Sequence, residues 1–281
     1  MASLRHHLDL GDAALKDGPH PERARRDAEL LLMHTLERSR AWLVAHAEEE
    51  LPGSQEAAYT ALISLRRKGE PIQYITGEAE FYGLPFRVTR DVLIPRPETE
   101  HLVEKALELA GRFVSPRIVD VGTGSGAIAV ALAHKLPHAL IAAIDISSRA
   151  LAIAEENAKR NGVAVRFLPG DLLAPVAEER FEIIVSNPPY VPTADRDTLS
   201  VEVREYEPAL ALFAGGDGLD VYRRLIPAAS DALTPGGFVA LEIGYGQSAA
   251  VEALLAGSGF ERIEFVPDLQ GIPRVACAQR P

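Results

Sequence analysis

The second part of this amino-acid sequence alternates between short β-type runs and helical stretches. From residue 117 onward, runs rich in Val, Ile, Ala and Phe are separated by segments whose composition favours helix. This alternation is typical of a parallel, doubly wound sheet, so it predicts an α/β fold class. Ligands of such sheets bind at the carboxyl ends of the strands. The predicted strands are 118–121, 140–144, 165–168, 181–186, 238–243, 264–266 and 275–278, and the predicted helices are 127–135, 148–161, 218–233 and 247–256.

The first 70 or so residues differ, because they contain no convincing strand. Residues 27–46 and 55–68 carry apolar side chains at helical spacing. The aromatic run 81–86 surrounds a glycine and a proline, which suggests a β-hairpin. We therefore predict a small helical domain at 1–71, a linking β-hairpin at 72–93 and a larger α/β domain at 94–281.

Composition and charge narrow the classes of function. Of 281 residues, 47% are apolar, which is enough for a sizeable core, and the single cysteine, Cys277, precludes an internal disulfide. We expect a cytoplasmic protein without a membrane span, because no signal core and no apolar run of about 18 residues occurs. The net charge of −11 argues against nucleic-acid binding. Two basic clusters, at 23–26 and 66–68, are interpreted as solvated helix faces, with a docking patch for an acidic partner as the alternative.

A glycine-rich loop follows the first predicted strand of the α/β domain. Glycines there allow a tight turn and a close backbone approach to a ligand, and the next helix offers free N–H groups. Gly122, Gly124 and Ala127 also satisfy the dinucleotide spacing G-x-G-x-x-G/A. The loop therefore indicates a nucleotide-type cofactor, but it leaves nicotinamide cofactors and S-adenosylmethionine as alternatives. The cofactor-binding candidates in the loop are Gly122, Thr123, Gly124, Ser125 and Gly126.

Acidic residues follow the next two predicted strands. Asp145 ends the second strand about 20 residues after the loop, where a carboxylate accepts the ribose hydroxyls of an adenosine. Asp171 follows the third strand and is a candidate acceptor for the adenine amino group, with a helix N-cap or turn residue as the alternative. Leu172 is then expected to pack beside the adenine.

The four residues Asn187-Pro188-Pro189-Tyr190 follow the buried run 181–186. Two prolines make the turn stiff and extended, and they remove two N–H donors. What the turn offers is therefore mostly acceptors, namely the Asn187 side-chain oxygen and the Pro188 carbonyl. A planar –NH2 group held by two acceptors can face an activated methyl group with its nitrogen. We predict N-methylation, with Asn187, Pro188 and Tyr190 as catalytic residues and all four as substrate-binding residues. Tyr190 is expected to stack on the flat substrate or to form a wall of the pocket.

Together with further motifs, these residues resemble the peptide chain release factor N5-glutamine methyltransferases, the PrmC/HemK family. The likeness spans nearly everything after residue 70, whereas the N-terminal stretch resembles the family mainly in size and helical character. The matching positions are 74–77, 81–84, 93–100, 120–129, 145, 170–171, 184–190, 207–210, 217–219, 235–237 and 242–244.

This resemblance implies a seven-stranded Rossmann-like methyltransferase sheet joined to a helical N-terminal domain that docks the substrate. It implies methyl transfer from S-adenosylmethionine to the side-chain amide nitrogen (N5) of the glutamine in the Gly-Gly-Gln motif of class I release factors. The product cofactor is S-adenosylhomocysteine. Residues 122–126 would hold the methionine end, Asp145 the ribose and Leu172 the adenine. Residues 187–190 would grip the substrate glutamine, with Asn187 also near the cofactor.

Other interpretations stay open from the sequence alone. The same four-residue turn serves methylation of exocyclic amines of nucleic-acid bases, adenine N6 or guanine N2, although the acidic net charge disfavours it. A cofactor-binding module without catalysis is a third interpretation. No metal site is expected, because Pro137 ends the helix between His134 and His138. The irregular segment 191–216 is expected to line the substrate entrance. The family resemblance implies that the run 96–98 lies beside the cofactor pocket.

Overall fold

The computed structural model describes residues 2–281, which divide into two compact units. The first comprises the chain up to Gly77 together with a later segment, Leu199–Tyr206. The second comprises Glu78–Thr198 and Glu207–Pro281. The division drawn from the sequence assigns the later segment to the larger domain, because a short return to an earlier unit leaves no mark in local composition.

Apolar side chains at helical spacing form the core of the first, helical unit. The helices of this unit are α1 (Leu4–Lys16), α2 (Ala24–Leu36), α3 (Arg40–Ala45), α4 (Gly53–Arg67), α5 (Ile72–Thr76) and, in the later segment, α9 (Val201–Tyr206). Leu15 of α1, Leu31 and Leu32 of α2, and Tyr59 of α4 are buried in one cluster. Burial of this one face of each helix supplies most of its stability, since isolated helices of this length are marginal in water.

The helices of this unit depart from the sequence prediction near both ends of α2 and at the start of the chain. The helix predicted over 27–46 is in fact two helices, because Glu37 adopts a left-handed backbone (φ 53°) and ends α2. Ser39 then caps α3 by accepting a backbone N–H at 3.3 Å. The sequence does not predict α1, whose start is capped in the same way by Ser3.

A buried arginine holds α9 in the helical unit. Arg66 Nε donates to a carboxylate oxygen of Asp27 at 2.6 Å, and Nη1 lies 2.5 Å from the Glu202 carboxylate. Nη1 also donates to the Glu70 carbonyl at 3.0 Å. The Arg66 side chain is only 3% exposed, so the interpretation of 66–68 as a solvated face is wrong for this residue.

The larger unit contains a two-stranded hairpin and a seven-stranded sheet, as the sequence predicts for the α/β fold class. Its strands are β1 (Glu78–Phe81), β2 (Leu84–Arg87), β3 (Arg117–Val121), β4 (Leu140–Asp145), β5 (Arg166–Pro169), β6 (Phe181–Ser186), β7 (Leu233–Glu242), β8 (Glu261–Pro267) and β9 (Pro273–Gln279). Its helices are α6 (Glu100–Ala110), α7 (Ala127–Lys135), α8 (Ser148–Arg160), α10 (Asp220–Ala232) and α11 (Ser248–Gly257).

The sheet has the order β5-β4-β3-β6-β7-β9-β8. Its first five strands pair in parallel, as predicted. The expectation of a parallel sheet is wrong at the last edge, where β9 runs antiparallel to both β7 and β8. Parallel neighbours need a crossover of about a dozen residues or more, and only residues 268–272 connect β8 to β9.

The hairpin packs against α8. Phe81 and Phe86 are buried, and the Asn157 side chain of α8 accepts the Arg87 N–H at 2.6 Å and donates to the Arg87 carbonyl at 3.0 Å. The predicted hairpin is therefore present. Its strands are shorter than the predicted 72–93 segment, since residues 72–76 form helix α5.

The strand order brings three chain segments to one edge of the sheet. β3 lies between β4 and β6, and Val121 pairs with Ile144 while Asp120 pairs with Val185. The residues that follow these three strands are consequently neighbours at their carboxyl ends. Across residues 2–281, no helix combines the length and the apolar character needed to span a bilayer.

Candidate active site

The glycine loop after β3 needs its glycines for conformation. Gly122, Gly124 and Gly126 have φ values of 74°, 56° and 81°, in the left-handed region that disfavours other residues. A Cβ on Gly122 or Gly124 would meet nothing within 4 Å, whereas one on Gly126 would lie 3.0 Å from the Ala154 Cβ. Gly126 therefore allows close packing of the loop on α8, and the first two glycines keep space open.

That open space belongs to a cavity of about 600 Å³ at the carboxyl ends of the strands. Its volume is typical of a small-molecule site. Two of the predicted site residues, Gly126 and Tyr190, do not line it. The predicted residues that do are Gly122, Thr123, Gly124, Ser125, Asp145, Asp171, Leu172, Asn187, Pro188 and Pro189.

Asp145 ties the end of β4 to the glycine loop. One carboxylate oxygen accepts the Gly124 N–H at 2.8 Å, and the other accepts the Ser147 N–H at 2.8 Å. The side chain is buried, and this burial raises the pKa of Asp145 above its ordinary value although both N–H groups lower it. Each carboxylate oxygen has a second lone pair. Asp145 can thus accept two hydroxyl hydrogens from a ribose while it keeps its backbone contacts.

Beneath the loop, Asp120 is fully buried in the last part of β3. It accepts the Thr123 hydroxyl at 2.6 Å, which fixes the loop to its strand. Burial raises the pKa of Asp120 to about 7. The sequence predicts Thr123 as a cofactor-binding residue. Its hydrogen bond to Asp120 explains the orientation of its side chain.

Asp171 and Leu172 follow β5 and line the cavity. The exposed Asp171 carboxylate pairs with Arg224 of α10, so a salt bridge already occupies the group predicted to accept the adenine amino hydrogen. Leu172 is half-buried and has a left-handed backbone with φ 50°. Arg224 also lines the cavity, and no sequence motif marks it.

The Asn187 amide is connected to a buried carboxylate through one hydroxyl. Asn187 Nδ2 donates to Thr99 Oγ1 at 3.1 Å, and Thr99 Oγ1 donates to Glu242 Oε2 at 2.6 Å. Thr99 and Glu242 are 4% and 2% exposed. Because burial is its largest perturbation, the pKa of Glu242 is raised to about 7. Since Nδ2 faces Thr99, the other amide atom, Oδ1, is the one left for a ligand.

Tyr190 is held away from the cavity wall. Its hydroxyl donates to Glu242 Oε1 at 3.3 Å, and its backbone carbonyl accepts a Gln247 side-chain N–H at 3.0 Å. The ring packs on the core of the larger unit, and burial is the main cause that raises the pKa of the phenol. Stacking of Tyr190 on a substrate stays a prediction, since the ring does not line the cavity here.

Arg96 connects the predicted substrate-entrance segment to the site. Its Nη2 atom lies 2.6 Å from both carboxylate oxygens of Glu207, whose side chain is 1% exposed. Just beyond Glu207, Pro208, Leu210 and Phe213 line the cavity. Of the neighbouring residues, Glu98 is exposed, and its charge helps to raise the pKa of Glu242.

Sequence reasoning misses Thr99 and Asn157 as parts of this site. Thr99 follows two prolines and Glu98, so it reads as the start of a helix. Asn157, which is fully buried, donates to the Ser125 carbonyl at 2.8 Å while it also binds the hairpin. Their partners lie 88 and 32 residues away along the chain, so no local pattern reveals either contact.

The site has the elements needed to hold an adenosyl cofactor next to a polar substrate group. Open glycines provide space, Asp145 provides acceptors for a ribose, and Asn187 presents an amide oxygen beside them. Within residues 2–281, no group of three or more His, Cys, Asp or Glu side chains is arranged to hold a metal ion. Fold and site together define an S-adenosylmethionine-dependent methyltransferase.

Comparisons with known proteins narrow this class to a family. Residues 99–205 match the methyltransferase small domain, and residues 8–77 match the PrmC N-terminal domain. The release factor glutamine methyltransferase of Koribacter versatilis is 46% identical over 96% of this chain and 97% of its own length. That of Geobacter sulfurreducens is 46% identical over 90% of this chain and 89% of its own. The chain belongs to the release factor glutamine methyltransferase family.

A solved structure supports the fold alone. The T. thermophilus 16S rRNA N2 G1207 methyltransferase, in complex with AdoMet and guanosine, has a TM-score of 0.54 and 20% sequence identity. The match covers 73% of this chain and 50% of that one.

Proposed function

We propose that this enzyme transfers the methyl group of S-adenosylmethionine to the side-chain amide nitrogen (N5) of the glutamine in the Gly-Gly-Gln motif of class I peptide chain release factors. The names of its relatives support this substrate, since they are similar over nearly the whole chain. We place the reaction in the cytoplasm, where release factors act.

One observation carries the proposal: the orientation of the Asn187 side chain. Its Nδ2 atom donates one hydrogen to Thr99, so Oδ1 is the amide atom placed to accept a hydrogen from a substrate amide. Pro188 lies next to it on the cavity wall, and its carbonyl is the second acceptor for a planar –NH2 group. Two acceptors bind both hydrogens of a glutamine amide and select against a carboxylate, which has none.

When bound, S-adenosylmethionine supplies an electrophilic methyl group on a positively charged sulfur. Transfer to the glutamine would exchange the C–S bond of the cofactor for a C–N bond on the amide nitrogen, with neutral S-adenosylhomocysteine as the leaving group. Asn187 and Pro188 orient the nitrogen in line with the methyl group, which replaces a diffusive encounter by a fixed geometry. The nitrogen becomes acidic as the methyl group is transferred and then loses a proton to solvent, so no strong general base is required.

The helical unit is the proposed docking surface for the release factor. Its support is the match of residues 8–77 to the PrmC N-terminal domain, which is separate from the methyltransferase match. Docking there would add binding free energy that the short Gly-Gly-Gln segment does not provide by itself.

A labelling experiment tests the proposed substrate. The purified enzyme is incubated with methyl-tritiated S-adenosylmethionine and a class I release factor, and in parallel with a release factor whose Gly-Gly-Gln glutamine is replaced by alanine. We expect label in the first protein and none in the second. Equal labelling of both proteins would contradict the choice of glutamine. Labelling of added RNA or DNA instead would support base methylation, the competing chemistry of the same turn.

A further inference from the structure

The side-chain amide of Asn187 can adopt two orientations, and the proposed function requires one of them. The two ends of an asparagine amide have nearly the same shape, but one end is a double donor and the other an acceptor. If Nδ2 faced the substrate, two NH2 groups would oppose each other and the substrate amide would be repelled. Correct function therefore requires a group that recognises one end of Asn187.

We propose that Thr99, fixed by Glu242, is a positioning residue that sets which atom of the Asn187 amide faces the substrate. This inference rests on the proposed acceptor role of Asn187 Oδ1. Thr99 lines the cavity, and its proposed effect on the substrate runs through the Asn187 amide.

The direction of the two hydrogen bonds follows from the number of hydrogens available. A threonine hydroxyl has one hydrogen, and Thr99 Oγ1 gives it to Glu242 Oε2 at 2.6 Å. Only oxygen lone pairs remain on Thr99 for Asn187, 3.1 Å away. Asn187 must therefore turn its Nδ2 end toward Thr99. If Oδ1 faced Thr99 instead, two oxygen acceptors would meet with no hydrogen between them.

Above its raised pKa of about 7 the Glu242 carboxyl is ionised, and it then makes this arrangement directional because it offers only acceptors. Its other oxygen accepts the Tyr190 hydroxyl at 3.3 Å. One carboxylate thus reaches both ends of the 187–190 turn, Asn187 through Thr99 and Tyr190 directly. The buried phenol of Tyr222 donates to the Glu242 backbone carbonyl at 2.7 Å and holds the end of β7 in place.

Thr99 is also held firmly enough to act on its neighbour. It ends the helical turn Pro97–Thr99 immediately before α6, and its N–H donates to the Arg96 carbonyl at 3.1 Å. Thr99 lines the cavity but is only 4% exposed, so little of its hydroxyl is open to water. A buried hydroxyl with both roles in use is expensive to reorient.

Steady-state kinetics of Thr99 variants test the inference. Thr99→Val keeps the shape and removes the hydroxyl, whereas Thr99→Ser keeps the hydroxyl. We expect Thr99→Val to lower kcat about 10²-fold, by analogy with the loss of one transition-state hydrogen bond. The KM for release factor and the Kd for S-adenosylmethionine should stay within about threefold, and Thr99→Ser should recover most of kcat. If Thr99→Val fails to fold, Thr99→Ala replaces it.

A matched control is Thr234→Val. Thr234 is half-buried at the start of β7, and its hydroxyl donates to the Phe181 carbonyl at 3.2 Å, away from the cavity. This variant makes the same Thr-to-Val change and loses one side-chain hydrogen bond, and it should leave kcat within about twofold. The inference is overturned if Thr99→Val keeps kcat within about threefold, or if Thr99→Ser and Thr99→Val lose the same amount.

An NMR readout separates this inference from the proposed substrate. The chain has three asparagines, Asn157, Asn161 and Asn187, so asparagine-selective 15N labelling gives few side-chain amide signals. The Asn187 signal, assigned by its loss in Asn187→Ala, should exchange slowly with solvent and should shift and exchange faster in Thr99→Val. An unchanged Asn187 signal overturns the inference whatever the methyl acceptor is. A changed signal supports it even if release factor is not methylated.

Discussion

Replacement of Glu242 by glutamine tests the consequence of burying this carboxyl group. The side chain is 2% exposed, and its burial raises the pKa from 4.5 to about 7 against the opposing hydrogen bonds from Thr99 and Tyr190. Glutamine has nearly the same shape and does not ionise. The difference in stability between the two proteins therefore isolates the titration of this group, because Asp120 and other shifted groups are common to both.

The sign follows from proton binding. The folded protein keeps the Glu242 proton up to about pH 7, whereas the unfolded chain loses it near pH 4.5. Between these values the folded state binds more protons, so the free energy of unfolding falls as the pH rises. An increase in pKa from 4.5 to about 7 corresponds to about 3 kcal/mol, at about 1.4 kcal/mol for each tenfold change in the ionisation constant. The change is absent below pH 4.5 and complete above about pH 7.

Denaturant unfolding at a series of pH values measures this difference. Circular dichroism follows the unfolding of both units, and the fluorescence of Trp42, the only tryptophan of the chain, reports the helical unit separately. We expect wild type to lose about 3 kcal/mol relative to Glu242→Gln as the pH rises from about 4 to about 8. A difference that does not change with pH would refute the reasoning, because Glu242 would then ionise as it does in water.

Three further predictions concern other parts of the molecule. Asn187→Ala should lower kcat by about 10²-fold or more and leave S-adenosylmethionine binding within a few fold, measured by kinetics and calorimetry. Gly124→Ala should weaken cofactor binding about tenfold or more, because the added Cβ enters the cavity from a residue with a left-handed backbone. The control is Gly162→Ala: Gly162 has a similar φ of 67° but lies outside the cavity, so this change should not affect cofactor binding. Arg66→Met should destabilise the helical unit by about 3 kcal/mol, since it leaves Asp27 buried without its partner, whereas the exposed Arg67→Met should have little effect on the tryptophan fluorescence transition.

Local patterns were sufficient for the elements that build the sheet. The predicted run 181–186 coincides with β6, and 127–135 coincides with α7, because buried parallel strands and apolar helices differ clearly in length and composition. The glycine loop could be recognised because the spacing of its glycines reflects the positions where the backbone is left-handed. The sites after β3, β4 and β6 meet because these strands are neighbours in the sheet, an order that the alternation alone does not fix.

Long-range contacts could not be predicted in the same way. Thr99 reads as a helix start, and its connection to Asn187 and Glu242 exists only after α6, β6 and β7 have packed together. The return of residues 199–206 to the helical unit depends on Arg66, which looks like a surface residue in its basic run. Similarly, the sequence position of Asp171 is that expected of an adenine acceptor. Only the structure shows that its carboxylate already pairs with Arg224.

The most direct test of the proposed activity is to locate the transferred methyl group by mass spectrometry. A class I release factor treated with the enzyme and S-adenosylmethionine is digested, and the peptide that contains Gly-Gly-Gln is fragmented. We predict one added methyl group on the side-chain amide of that glutamine, which is absent from the same reaction with Asn187→Ala. A methyl group on another residue, or an unmodified peptide from an enzyme that binds S-adenosylmethionine, would contradict the proposed function.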